Sequence, residues 1–170
     1  TLFPYTTLFR SSSDGKTLYS IADEGVVSFR ILQNGALARL NSAPIRGMRG
    51  CHLCSDLEDK FIFVSGYHDG KTTILSLNKD GSVGGIVDGV YDKGYGSVAE
   101  RNFRPHVTCT RRMPDNKYVL SVDNGVDQVK IYRFNDKEQK MVQVDAIRCD
   151  LESAPRHFRF SRDGRFLYLM

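Results

Sequence analysis

The feature that most constrains this chain is a short turn-and-strand unit that occurs four times. Each copy has an acidic residue, then Gly, Asp or Asn, then a Lys or Arg, and then a run of aromatic and aliphatic residues. The basic residues are Lys16, Lys60, Lys117 and Arg165, so the copies lie 44, 57 and 48 residues apart. Repeats of this length are typical of solenoids, arrays and propellers.

Each repeat contains short strand-like runs and no sustained helical periodicity. In the second repeat, runs rich in apolar and β-branched residues lie at 52–54, 61–65, 73–77 and 83–87, and polar turns with Gly or Asp separate these runs. Such runs bounded by turn residues favour strands. Four short antiparallel strands in about 45–50 residues are typical of a propeller blade. The predicted fold is therefore all-β, a partial β-propeller of three to four four-stranded antiparallel blades.

The repeat also sets the expected domain organisation. The predicted blades cover residues 14–50, 51–105, 106–155 and 156–170, with the last one incomplete and the first lacking its inner strand. Residues 1–13 match no repeat and are predicted to be a foreign or unstructured lead. Because three to four blades do not close a ring, the sequence predicts that the remaining blades of the propeller are missing from this chain.

Composition excludes several functional classes. The chain has 170 residues, 41% of them hydrophobic and 26% charged, with a net charge of +4, which indicates a globular protein. No nucleic-acid motif accompanies the basic residues, and the longest apolar runs are far too short for a membrane span. Cys51-x-x-Cys54 lacks the second ligand pair of a zinc site, so the cysteines are interpreted as buried, reduced thiols of a cytoplasmic protein. No metal and no cofactor are predicted.

The predicted topology gathers the polar loop residues on one face. In an up-and-down blade, alternate turns lie on alternate faces, so the connections between blades share a face with the loops between second and third strands. This face carries Tyr67, His68, Glu100, Arg101, Arg104, Asp123, Asp127 and Arg156. Of these residues, Asp123 and Asp127 can also be interpreted as residues that hold their own turn.

Three of the four histidines open successive inner strands, where the strands approach the channel mouth. His52, His106 and His157 are 54 and 51 residues apart, and His68 lies in a loop on the same face. A repeated histidine can simply cap a strand, and we favour this for His52. The charged residues 100–104 favour a functional role for His106, while both interpretations stay open for His157.

Four stretches of residues 51–170 carry a resemblance to a known family. They are 59–68, 100–102 with 104–106, 114–127, and 154–158 followed by 163–168. Taken in order they resemble the seven-bladed β-propeller lactonases, a group with 6-phosphogluconolactonases and fungal carboxy-cis,cis-muconate cyclases. His52 departs from this pattern because it lacks the proline that precedes His106. The resemblance implies seven blades and hydrolysis of 6-phosphogluconolactone to 6-phosphogluconate, a step of the pentose phosphate pathway.

The residues of the shared face can support this chemistry. Opening a lactone needs a base that activates water and a donor for the oxyanion, and an anionic substrate needs a positive anchor such as arginine. The predicted base is Glu100 or His106, and the predicted binders of the anion and the oxyanion are Arg101 and Arg156. The predicted substrate-binding residues are Tyr67, His68, Arg104, Asp123, Asp127, His157 and His52.

Two other functions remain open from the sequence. The first is a carboxy-cis,cis-muconate-type lactonizing cyclase, and the second is a propeller that only binds proteins. The charged and aromatic face argues against the second, and the absence of Trp disfavours WD-repeat relatives. The expected partner is a small anionic lactone, with no nucleic acid and no membrane. The 170-residue chain by itself is expected to be inactive.

Overall fold

A computed structural model describes residues 8–23, 25–96 and 104–170 of the chain. The predicted all-β architecture is confirmed, and no helix of the described residues could cross a membrane. The strands are β1 (Phe9–Ser11), β2 (Thr17–Ala22), β3 (Gly25–Ile31), β4 (Leu37–Ala43), β5 (His52–Ser55), β6 (Phe61–Gly66), β7 (Lys71–Leu77), β8 (Val83–Tyr91), β9 (Val107–Arg112), β10 (Tyr118–Asp123), β11 (Gln128–Asn135), β12 (Lys140–Arg148), β13 (Phe158–Phe160) and β14 (Leu167–Leu169).

The strands form four antiparallel sheets, which we call blades one to four. Blade one is β1-β2-β3-β4, blade two is β5-β6-β7-β8, blade three is β9-β10-β11-β12, and blade four is the pair β13-β14. In every sheet, strands adjacent in the sequence are adjacent in space, as in the up-and-down blades of a propeller. The first strand of blade two contacts the first strands of blades one and three, so the inner strands converge.

The repeated turn has a local physical cause. The residue before each basic residue has a positive φ, namely 69° at Gly15, 50° at Asp59, 58° at Asn116 and 70° at Gly164. Only Gly, and to a lesser degree Asn and Asp, adopt this left-handed conformation routinely. In each copy its N–H donates to the carbonyl three residues earlier, which closes the turn between first and second strands.

The lead segment departs from the expectation that residues 1–13 lie outside the fold. Phe9–Ser11 pair with β2 in an antiparallel register, with Phe9 opposite Ser20 and Ser11 opposite Leu18. The inner edge of β2 otherwise presents unpaired N–H and C=O groups, and an extended segment satisfies them through its backbone alone. Blade one therefore has four strands and not three. The foreign origin of residues 1–13 stays a prediction.

The apolar cores lie between neighbouring blades. One cluster joins blades one and two, a second joins blades two and three, and a third joins blades three and four. In the second cluster, the Phe134 ring meets the rings of Phe61 and Phe63 edge-on, with centroids 5.0 and 5.5 Å apart. Each blade thus depends on its neighbours to bury its faces.

A charged cluster is also buried between blades two and three. Lys130 of β11 is 1% exposed, and its Nζ lies 3.6 Å from Asp92 Oδ2 and 3.7 Å from Asp123 Oδ2. The same Nζ donates to the Lys93 carbonyl at 2.5 Å, and the Tyr132 hydroxyl donates to Asp92 Oδ1. Burial raises the pKa of Asp92 to about 7, although the positive charge of Lys130 acts in the opposite direction.

Replacing the central cation of this cluster is expected to destabilise the fold strongly. Lys130→Met leaves the buried carboxyl groups of Asp92 and Asp123 without their counter-charge, and such a loss costs about 3–5 kcal/mol of unfolding free energy. Lys140→Met is the control, because Lys140 pairs with Asp88 at 3.2 Å on the surface, where an ion pair contributes about 0–1 kcal/mol. Urea unfolding of both variants measures the difference. Equal losses in the two variants would contradict the buried role of Lys130.

The raised pKa of Asp92 predicts a pH dependence of stability. Between about pH 4 and pH 7, folded Asp92 holds a proton that the unfolded carboxyl, with an ordinary pKa of 3.8, has released. The free energy of unfolding is therefore expected to fall as the pH rises through this window. Asp92→Asn should remove this component, so the variant should show a shallower decline in urea unfolding at pH 4.5 to 7.5. Identical slopes in the two proteins would contradict the assignment.

Candidate active site

A cavity of about 360 Å³ opens where loops of blades two, three and four meet. This volume is at the lower end of the roughly 300–1,000 Å³ typical of small-molecule sites. Four residues predicted from the sequence line it, namely Tyr67, His68, Arg156 and His157. Four others were not predicted, namely Arg49, Gly50, Cys51 and Thr108. We call this space the loop-face cavity.

Tyr67 and His68 follow β6 and form one wall of the loop-face cavity. The Tyr67 ring stacks on the His106 ring with centroids 4.4 Å apart and planes 14° from parallel. The His68 ring is exposed and meets the Tyr67 ring edge-on at 5.3 Å. Tyr67 is therefore fixed from behind by His106, while His68 borders the solvent.

His106 lies behind this wall and does not line the cavity. Its side chain is buried, and its ring Nδ1 is 2.8 Å from the Tyr67 carbonyl oxygen. A carbonyl only accepts, so Nδ1 must carry the proton and Nε2 is the nitrogen that can accept one. Gly125 lies close to both Arg104 and His106. A Cβ added at Gly125 would be 1.9 Å from the Arg104 carbonyl oxygen and 2.8 Å from the His106 ring. His106 is thus clamped between two loops.

Asp123 and Asp127 lie beneath the loops that surround the cavity. Asp123 Oδ1 accepts from the backbone N–H groups of His106 at 2.8 Å and Gly125 at 3.0 Å. The two oxygens of Asp127 accept from the N–H groups of Glu152 and Ala154, both at 2.8 Å. Both carboxylates are almost fully buried and neither lines the cavity, so in this structure they hold loops.

Arg156 and His157 stand side by side at the opposite wall. Their backbone N–H groups both donate to the Met170 carbonyl, and the Thr108 hydroxyl donates to the Arg156 carbonyl at 2.8 Å. The Arg156 side chain is exposed, while that of His157 is half-buried. Burial and the neighbouring guanidinium of Arg156 lower the pKa of His157, so its imidazole is neutral at pH 7.

His52 is fully buried, whereas His157 is half-buried. The two ring centroids are 6.2 Å apart, and His52 Nε2 is 3.6 Å from Cys109 Sγ. Burial, and secondarily the charge of Arg111, place the pKa of His52 well below its usual range. His52 does not line the loop-face cavity, and its predicted role in substrate binding stays a prediction.

The remaining predicted residues lie in the connection between blades two and three. Glu100 and Arg101 lie outside the described residues, so their predicted roles stay predictions. Arg104 is exposed at the end of this connection and is not among the residues that line the cavity.

Among the lining residues that the sequence did not predict, Arg49 and Cys51 have reactive or charged side chains. Arg49 belongs to the connection between blades one and two, which shares the loop face, so its position was the available signal. Its exposed guanidinium lies 3.3 Å from Asp23. Burial raises the pKa of Cys51 to about 11, so this thiol is protonated at pH 7 and is a poor nucleophile.

The charges around the loop-face cavity favour the binding of an anionic ligand. Arg49 and Arg156 are its charged lining residues, and no carboxylate lines it within the part of the chain that the structure describes. In those same ranges, no group of three His, Cys, Asp or Glu side chains could hold a metal ion. The cavity combines positive charge with a neutral imidazole, which can bind an anionic substrate and take a proton from water.

Comparison with known proteins identifies the family. The family model described as "Lactonase, 7-bladed beta-propeller" matches residues 4–170. The chain belongs to this lactonase family. It is 29% identical over 169 residues to a 6-phosphogluconolactonase of Bacillus subtilis, covering 96% of this chain and 48% of that protein. A 6-phosphogluconolactonase of Formosa agariphila is 27% identical over 173 residues, with 96% and 49% covered.

Solved structures of lactonase relatives have the same fold. A crystal structure of a candidate 6-phosphogluconolactonase from Bacteroides fragilis superposes with a TM-score of 0.86 and 30% identity, covering 96% of this chain and 49% of that one. The periplasmic gluconolactonase of Pseudomonas aeruginosa has a TM-score of 0.87 at 23% identity, with 95% and 49% covered, and supports the fold alone. The chain spans about half the length of the relatives it matches.

The electrostatic influence of Arg156 on His157 predicts a measurable change in the pKa of His157. Arg156→Gln removes a positive charge that disfavours the imidazolium, so the pKa of His157 should rise towards its ordinary value of 6.5. An NMR titration of the imidazole C–H signals measures this shift. Arg162→Gln, which removes an exposed arginine beyond β13, is the control and should leave the pKa of His157 unchanged. An equal response to both substitutions would mean that Arg156 has no specific influence.

Proposed function

We propose that this lactonase-family chain belongs to a hydrolase of anionic sugar-acid lactones, with 6-phosphogluconolactone as the substrate and 6-phosphogluconate as the product. The main observation behind the proposal is that Arg156 and the neutral imidazole of His157 line the same cavity. The names of two relatives, from Bacillus subtilis and Formosa agariphila, support the same reaction. Since the chain spans about half of their length, the proposal concerns the complete propeller.

In this proposal the arginines bind the negative charges of the substrate. Arg156 is exposed at the cavity wall and has no ion pair within the described ranges, so its guanidinium can bind a phosphate or the developing oxyanion. Arg49 adds a second positive charge at the same cavity. Arg101, predicted from the sequence as a further anion binder, remains part of the proposal.

The proposed base among the described residues is His157. Its lowered pKa keeps the imidazole unprotonated near neutral pH, so it can accept a proton from the attacking water. The water oxygen bonds to the lactone carbonyl carbon, the ring C–O bond breaks, and the proton passes to the departing alkoxide. Glu100 is the alternative base that the sequence predicts. His106, which the sequence also offered, here has the role of positioning Tyr67.

An activity assay on a protein with the complete set of blades tests this proposal. The loss of 6-phosphogluconolactone should exceed the spontaneous rate, and His157→Gln should lower kcat by about 10²–10⁴-fold if His157 is the base. Arg156→Gln should mainly raise KM, because it removes an anion contact. Arg162→Gln is the matched control and should keep wild-type rates. Glu100→Gln, measured in parallel, identifies the base if it causes the larger loss of kcat.

Two outcomes of this assay would contradict the proposal. If the wild-type rate equals the spontaneous rate, the chain does not belong to a lactone hydrolase of this substrate. If carboxy-cis,cis-muconate is turned over in the same preparation while 6-phosphogluconolactone is not, the cyclase alternative replaces the hydrolase. A pH profile adds a further check, because protonation of His157 should reduce kcat/KM on the acid side, below the ordinary histidine pKa of 6.5.

A further inference from the structure

A second cavity of about 230 Å³ lies against the inner strands, away from the loop face. Its lining includes Arg10 of β1, His52 of β5, Arg111 of β9 and Arg159 of β13. His52 lines this cavity, His157 lines the loop-face cavity, and the centroids of the two rings are 6.2 Å apart. We call this space the channel cavity. It shares no lining residue with the loop-face cavity.

The arginines of the channel cavity concentrate positive charge without a counter-charge. No carboxylate lines the cavity, and neither Arg111 nor Arg159 has an ion pair, in the ranges 8–23, 25–96 and 104–170. The charge of Arg111 is the largest influence that lowers the pKa of Arg159, so the two guanidiniums repel each other. Arg111 Nε is buried and has no hydrogen-bond partner. Arg159 is exposed and Arg111 is half-buried, and a polar group that is buried, as Arg111 Nε is, normally has a hydrogen-bond partner.

His52 adds a buried ring nitrogen, Nδ1, that also lacks a partner. Burial raises the pKa of the Cys109 thiol, so the thiol keeps its proton and can donate to His52 Nε2 at 3.6 Å. In that arrangement Nδ1 carries the proton of the neutral ring. Nδ1 is buried without a hydrogen-bond partner, in a residue that is 0% exposed and lines the channel cavity. An unpartnered buried donor of this kind is costly unless a ligand accepts from it.

We propose that the channel cavity binds a small inorganic oxyanion of the phosphate type, held by Arg111, Arg159 and His52. The planar guanidinium matches the oxygens of phosphate in a bidentate arrangement, and the anion would neutralise the repulsion between the two arginines. The volume suits a small oxyanion and falls below the roughly 300–1,000 Å³ of sites for larger ligands. The proposal does not depend on Arg10, which belongs to the lead that the sequence predicts to be foreign.

Calorimetric titration with inorganic phosphate tests the proposal. The 170-residue protein carrying Arg156→Gln is the reference, because this substitution weakens anion binding at the loop-face cavity. Phosphate should bind to the reference protein with one site, and adding Arg111→Gln or Arg159→Gln should weaken it at least about tenfold. Adding Arg162→Gln, the matched control, should leave the affinity unchanged. The same site should be found in a protein with the complete set of blades.

Thermal unfolding without phosphate provides an independent readout. Because the two guanidiniums repel each other, Arg111→Gln and Arg159→Gln should keep or raise the Tm in a phosphate-free buffer. Low phosphate concentrations at constant ionic strength should raise the Tm of the reference protein and leave those of the two variants unchanged.

Three results would overturn the proposal. The first is phosphate binding of equal strength in the reference, the Arg111→Gln and the Arg162→Gln proteins, which would indicate a non-specific effect. The second is a lower Tm for Arg111→Gln without phosphate, which would mean that this guanidinium already has a stabilising partner. The third is loss of the site in the complete propeller, which would mean that side chains of other blades compensate the arginines.

Discussion

The candidate site depends on two buried carboxylates that accept hydrogen bonds from the backbone of the loops around it. Asp123 holds the N–H of His106, and the His106 ring in turn supports Tyr67 by stacking and through the carbonyl of Tyr67. Asp127 holds two N–H groups of the segment that leads directly into Arg156. Hydrogen bonds to buried carboxylates are strong, so both walls of the cavity are fixed from below. Blades two to four thereby position one site.

Much of the fold could be predicted because its signals are local. The left-handed conformation in each turn between first and second strands favours Gly, Asn or Asp, and this preference recurs in the sequence as Gly15, Asp59, Asn116 and Gly164. The first inner strand could not be predicted in this way. Residues 9–11 pair with β2 through backbone groups, which any extended segment can provide, so no repeated side-chain pattern marks them.

The sequence predicted which face of the blades carries the candidate site, but not which side chains of that face are buried and which line the cavity. The alternation of turns between the two faces placed Asp123 on the loop face, and the starts of the inner strands placed His52 and His106 there, yet all three side chains are buried and do not line the cavity. Depth depends on packing between blades, which brings together residues far apart in the chain. Arg49 was missed although it lies in a connection between blades, because which residues of such a connection line the cavity also depends on this packing.

The central claim is that Arg156 and His157 form the substrate site of a lactonase-family propeller. A crystal structure of the complete protein with 6-phosphogluconate tests this most directly. The account predicts the product in the loop-face cavity, with one of its anionic groups on the Arg156 guanidinium and its sugar-acid chain beside His157 and Tyr67. Product bound elsewhere on the propeller, with Arg156 and His157 exposed only to solvent, would contradict it.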